Sequence, residues 1–149
     1  MDYPPLLTFT AEEEYRQEFE RLYCRKPTVT HDGISVRFNR SDFDHCAYRS
    51  KSMNDKSIFS LPRAQRIHWI GLILQDPAAE LFFGWDRVKR RVDRESRVAL
   101  TADGYVVVIR FISKETKQAR FVTAYQDDGK RTAAGFSLVQ QIRRSPKWE

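Results

Sequence analysis

A histidine next to a cysteine at His45 and Cys46, two arginines one helical turn apart at Arg63 and Arg66, and two late hydroxyls at Thr123 and Tyr125 are the side chains here with most chemistry to offer. An imidazole titrates near neutrality and can take or give a proton, and a guanidinium can hold a phosphate through two parallel hydrogen bonds. These groups suit phosphodiester cleavage in which an RNA's own 2′-hydroxyl attacks the adjacent phosphorus. That reaction needs a proton acceptor, a proton donor and cations aimed at the phosphorane as charge accumulates on it. His45 is the first choice for proton transfer, because it falls at the edge of an apolar stripe; the plainer alternative is a helix-surface or capping histidine. His68, between Ile67 and Trp69, reads as a packing residue, and His31 as a turn residue.

The cations have two readings each. Arg63 and Arg66 either clamp a phosphate or are solvated on a helix face. The run containing Arg87, Lys89, Arg90, Arg91, Arg94 and Arg97, countered only by Asp93 and Glu95, either tracks an RNA backbone or is a solvated loop. In a strand over Lys117–Tyr125, Phe121, Thr123 and Tyr125 would alternate to one side. If that side lines a cleft, Thr123 donates to a phosphate oxygen and Tyr125 stacks on a base; if it faces the core, both hydroxyls find backbone partners. At the chain end, Lys147 and Trp148 belong either to a frayed tail or to a segment that Trp148 pins to the body.

Other chemistries lack their motifs. Cys24, His31, His45, Cys46 and His68 show none of the paired short spacings of zinc ligands, and no acidic cluster resembles a magnesium or calcium cage, so neither metal nor cofactor is expected. Six glycines scattered singly form neither a GxGxxG nor a Walker loop, and no GxSxG elbow is present. Cys46 reads as core, not as a nucleophile paired with His45, since adjacent side chains on a helix diverge.

The 149 residues fit one domain, read as residues 1–149 with an N-terminal helix and short strand over 1–40 and the main body over 41–149. At 41% hydrophobic and 13% aromatic the chain is too apolar for disorder. Two cysteines and no basic-then-apolar start over Met1–Thr10 suggest reduced thiols in a cytoplasm, and no apolar run suggests a membrane span. The net charge is +6; residues 1–25 hold six acids against three arginines, contributing −3, which leaves +9 for the rest. A field of that sign favours polyanions, of which nucleic acid is the commonest a cytoplasmic protein meets.

The elements that must position these groups follow from periodicity. Thr10 with Glu13 reads as a capping box for a helix over Ala11–Cys24, stopped by Pro27. His31, Asp32 and Gly33 form a turn before an extended piece at Ile34–Phe38. Ser41 with Asp44 starts a short helix that buries Phe43, Cys46 and Ala47, and a polar loop spans Arg49–Ile58. Ser60 caps a long helix over Leu61–Gln75, stopped by Asp76 and Pro77. The period then changes to that of strands, at Arg97–Thr101, Tyr105–Ile112 and Lys117–Tyr125, and a helix over Ala133–Arg144 closes the chain. The expectation is an α+β fold: N-terminal helices packed on an antiparallel β-meander sheet of about four strands, with a C-terminal helix.

The segments HCAY at His45–Tyr48, RAQRIHWI at Arg63–Ile70, YVVVIR at Tyr105–Arg110, RFVTAY at Arg120–Tyr125 and the closing IRRSPKW resemble phage-associated members of the barnase, EndoU, colicin and RelE-like nuclease superfamily. The resemblance spans about Phe43–Trp148. It implies a metal-independent endoribonuclease acting as a toxin or phage effector in the cytoplasm, with tRNA or mRNA as partner and a protein antitoxin or immunity protein as inhibitor. By position it implies catalytic roles for His45 and Thr123, phosphate binding by Arg66, and lesser roles for Tyr125 and Lys147. Arg63, Arg90, Arg91, Arg94 and Arg97 would contact substrate. Only one histidine lies in a recognisable motif here, so a second proton carrier would be Tyr125, Lys147 or the substrate itself. A non-catalytic module that grips RNA or a host protein is the competing expectation.

Overall fold

Three glutamates followed by an apolar line make the first helix, α1 (Glu12–Phe19), in a computed structural model that describes residues 3–49, 58–86, 88–101, 103–127 and 138–148. Acids in a first turn complement the helix dipole. The capping carboxylate is Glu14, not Glu13: it accepts from the Ala11 N–H at 3.1 Å and from the Thr10 hydroxyl at 2.8 Å. Beyond Phe19 the helix loosens into a π-helical turn, Glu20–Cys24, which carries Tyr23 into the core.

Tyr23 explains why the expected long helix over 61–75 is two helices, α3 (Leu61–Ala64) and α4 (Trp69–Gln75). Its hydroxyl donates to the Ile67 carbonyl at 2.5 Å and accepts from the Gly71 N–H at 3.0 Å. It thus stands where the i to i+4 hydrogen bond of a continuous helix would run. Gly71 allows this approach, since a Cβ there would lie 3.2 Å from the tyrosine ring. Periodicity cannot reveal an insertion that comes from another element. Tyr23→Phe should leave both backbone groups buried without that partner and lower unfolding free energy by about 1–3 kcal/mol, measurable by urea denaturation. A loss below about 0.5 kcal/mol would show that water satisfies them.

The main sheet has six strands in the order β1-β2-β8-β7-β6-β5. The strands are β1 (Thr28–Val29), β2 (Ser35–Arg37), β5 (Glu80–Asp86), β6 (Arg91–Leu100), β7 (Tyr105–Ser113) and β8 (Gln118–Gln126). β5 to β8 form the expected antiparallel meander, while β2 joins β8 in parallel, so the sheet is mixed. β6 starts at Arg91, six residues before the expected strand, and β5 was not expected at all. The first forty residues therefore supply two strands of the same sheet. A separate pair, β3 (Tyr48–Arg49) with β4 (Ile58–Phe59), flanks residues 50–57, where most of the expected polar loop lies outside the described residues.

The two sheet faces differ. On one, Tyr105, Val107, Ile109, Phe111, Ala119 and Phe121 join the aromatic core beneath α1, α2 (Asp42–Ala47) and α4. On the other, Phe82, Val98, Leu100 and Val106 pack with Val139 and Ile142 of α5 (Leu138–Arg143). Residues 128–137, including the expected start of the closing helix and Phe136, lie outside the described residues. Among the described residues no helix is long and apolar enough to cross a membrane.

Candidate functional site

β2 ends at Arg37, but β8 continues to Gln126, so among the described residues the far half of β8 has an edge that no strand covers. α2 and α3 dock against that edge. The short α2 forms because Asp42 accepts from the Asn39 N–H at 2.7 Å at its start, while Phe43, Cys46 and Ala47 give it a buried side. Ser41 makes no side-chain cap there. His45 falls on the exposed side, as expected from its place beside the stripe. Its carbonyl accepts from the Thr123 hydroxyl at 2.6 Å, which ties the end of α2 to β8.

Arg63 approaches the same place from α3, whose first turn is capped by Ser60 accepting from the Arg63 N–H at 3.4 Å. The Arg63 guanidinium donates to the Tyr48 carbonyl at 3.1 Å and lies 5.9 Å from the centre of the Tyr125 ring. Three separate elements thus meet here: β8, the end of α2, through the His45 carbonyl on Thr123, and α3, through Arg63 beside Tyr125.

Strict alternation on β8 fails between Phe121 and Thr123. Thr123 pairs with Val108 and Phe121 with Ile109, leaving Val122 as the extra residue of a bulge. Phe121 and Ala124 therefore face the helix-covered core, and Tyr125 packs on the opposite side with Val108 and Val139. Of the two readings of Thr123, the structure shows the backbone partner: its hydroxyl donates to the His45 carbonyl, although the side chain does not face the helix-covered core.

Three other expected residues are placed elsewhere. Arg66 leans on Trp69, with its guanidinium 5.3 Å from that ring and donating to the Pro62 carbonyl at 2.6 Å, while its Nε is buried with no hydrogen-bond partner among the described residues. Arg63, one turn earlier, occupies the place expected for Arg66. Lys147 bridges to Phe82 on the outer edge of β5, where the Phe83 N–H donates to the Pro146 carbonyl and the Trp148 N–H to the Leu81 carbonyl, each at 2.9 Å. Four strand spacings of about 4.8 Å separate it from β8, beyond the reach of a lysine side chain. The tail is the pinned one of the two alternatives, and its pinning carries Lys147 away from His45.

Arg97 is the third. It is 2% exposed and donates to both carboxylate oxygens of Asp32, at 2.6 and 3.2 Å, beneath the Trp148 ring at 5.6 Å. A guanidinium so enclosed holds the fold together and does not meet substrate. Arg90, Arg91 and Arg94 are exposed, at the far end of the β5–β6 hairpin and on β6, which β7 separates from β8.

Sequence reasoning missed Asp42 and Arg120. Burial pushes the Asp42 carboxyl up, while the Asn39 N–H and the charges of His45 and Arg120 pull it down. A nearly buried carboxylate thus sits within electrostatic reach of His45. An acid in the first turn of a helix is too common a pattern to single it out. Burial pushes the Cys46 thiol far up, in keeping with its reading as core. Among the described residues, no three His, Cys, Asp or Glu side chains gather into a cluster of metal-binding size. No family model, curated protein or solved structure matches the chain.

Proposed function

We propose that this protein is an endoribonuclease that cleaves RNA through attack by the substrate's own 2′-hydroxyl, with His45 as the proton carrier. The observation that supports this most is the meeting of the segment bearing His45 with Arg63, Thr123 and Tyr125 where α2 and α3 dock on the edge of β8. An exposed imidazole on an anchored helix end can reach a bound ribose, and Arg63 supplies positive charge toward the phosphorane. Tyr125, under that guanidinium, is placed to fix Arg63 or to contact a base. The resemblance of the HCAY and VTAY segments to the nuclease superfamily points the same way, and with it to a toxin or phage effector held in check by a protein inhibitor.

In this chemistry the 2′-oxygen bonds to phosphorus as the bond to the 5′-oxygen breaks. One proton leaves the 2′-hydroxyl and one arrives on the departing 5′-oxygen. The experiment is to incubate the purified protein with RNA in EDTA and to analyse the ends. Products with 2′,3′-cyclic phosphate and 5′-hydroxyl ends are expected. Intact RNA, or 5′-phosphate ends, would overturn the proposal.

A further inference from the structure

On the sheet face opposite α1, α2 and α4, Arg37 of β2 lies directly beside Arg120 of β8, and Arg120 directly beside Arg110 of β7. Val36, Ala119 and Phe111, the neighbours of these arginines along their strands, are buried on the helix side, so all three arginines project from the other face. The α5 cluster covers the Val106 end of that face. Arg37 and Arg120 are exposed, and Ile112, the extra residue of a bulge just past Arg110 on β7, is 58% exposed.

Like charges directly opposite one another across paired strands destabilise a sheet. Arg110 is neutralised by Asp93 at 2.8 Å, whereas neither Arg37 nor Arg120 makes a hydrogen bond or ion pair among the described residues. Past Arg110 the row opens into a depression of about 480 Å³ in which Arg110, Lys89, Arg91 and Arg94 stand against three carboxylates, Asp86, Asp93 and Glu95. In the middle of the row, Arg120 stands three residues before Thr123, whose hydroxyl binds the His45 carbonyl, and its charge is felt at Asp42 of the same helix as that histidine.

We infer that the row Arg37–Arg120–Arg110 is a track for the phosphate backbone of single-stranded RNA, running across the strands from Arg37 toward Arg91 and crossing, at Arg120, the strand whose Thr123 binds the segment bearing His45. The inference rests on reading RNA as the partner and adds where the strand lies and what form it takes. A single strand offers one line of phosphates to one row of guanidinium groups, and the side chains beside the row, such as Ile112, are apolar surfaces on which bases can lie. Contacts to phosphate carry no sequence information, so binding here is insensitive to base order.

The test uses the full chain with His45→Ala, so that RNA is bound but not cut, and a labelled single-stranded uridine oligomer followed by fluorescence anisotropy over a salt series. Arg37→Gln with Arg120→Gln should flatten the slope of log K against log salt by about 1.4 and weaken binding about 25-fold at 0.1 M salt, from about 0.7 per phosphate contact on a single strand. The same pair should leave the Tm of the free protein equal or higher, because it removes a repulsion. An unchanged slope and affinity would overturn the track. Equal binding of polyglutamate of matched charge, lost in the same variant, would assign the row to an acidic protein instead and overturn RNA as the ligand. Loss of RNA binding in the double variant, with no cleavage by the unsubstituted protein, would keep the track and reject only the nuclease reading.

Discussion

His45→Ala should slow cleavage of RNA in EDTA by about 10²- to 10⁴-fold, the range over which a positioned proton carrier contributes. Stability should change by no more than about 0.5 kcal/mol, because the side chain is exposed and the bond from Thr123 to its carbonyl is unaffected by the substitution. That separation makes the test sharp: the loss falls on the rate and not on the amount of folded protein. Thr123→Val gives a graded comparison. It keeps the imidazole but removes the hydrogen bond that sets the end of α2, so cleavage should fall less than with His45→Ala, through misplacement of the carrier. Arg63→Lys keeps the charge but loses the planar fork that spans the Tyr48 carbonyl and the site, and should also reduce the rate. A His45→Ala protein that cuts at the original rate would remove the imidazole from the mechanism.

The parts of this arrangement that were legible in the sequence are those fixed by local pattern. Phe43, Cys46 and Ala47 recur at helical spacing, and they do bury one side of α2 and leave His45 outside. The strands Tyr105–Ser113 and Gln118–Gln126 follow from alternation and from the polar turn between them. What sequence alone did not yield depends on partners distant in the chain. The break between α3 and α4 comes from a hydroxyl forty-four residues before Ile67, and the facing of Thr123 from a bulge defined only by pairing with β7. Arg97 looked like one more cation in a basic run, yet its neighbours Val98 and Ala99 are buried with it, and its partner Asp32 sits sixty-five residues away in a turn. The same limit hid the arginine row, whose members come from three strands. Arg63 and Arg66 could not be told apart by type or spacing; only the placement of Tyr48 and Trp69 assigns one to the β8 edge and the other away from it.

Asp32→Asn should lower unfolding free energy by about 3 kcal/mol. Removing one partner of a buried ion pair costs about 3–5 kcal/mol, because the other charge is left without compensation. The lower end applies here, since the Asp32 side chain is 36% exposed and water screens part of the loss, while Arg97 is sealed at 2%. Partial burial alone would raise the Asp32 carboxyl; the hydrogen bonds from Arg97 and Thr30, with the charge of Arg97, outweigh it and hold the pKa at about 2. The sign follows. A carboxyl with a lower pKa in the folded than in the unfolded chain contributes stability in full above its unfolded value of 3.8, and that contribution is lost as pH falls toward 2. Urea denaturation of the original and Asp32→Asn proteins should therefore differ by a constant amount above about pH 5 and converge between pH 4 and pH 2. Arg97→Met together with Asp32→Leu should recover much of the loss, because neither charge is then stranded under Trp148. Equal stabilities at neutral pH, or a gap that widens on acidification, would show that the Asp32–Arg97 pair does not hold the turn after β1 to the sheet, leaving Trp148 and the pinned tail to do so alone.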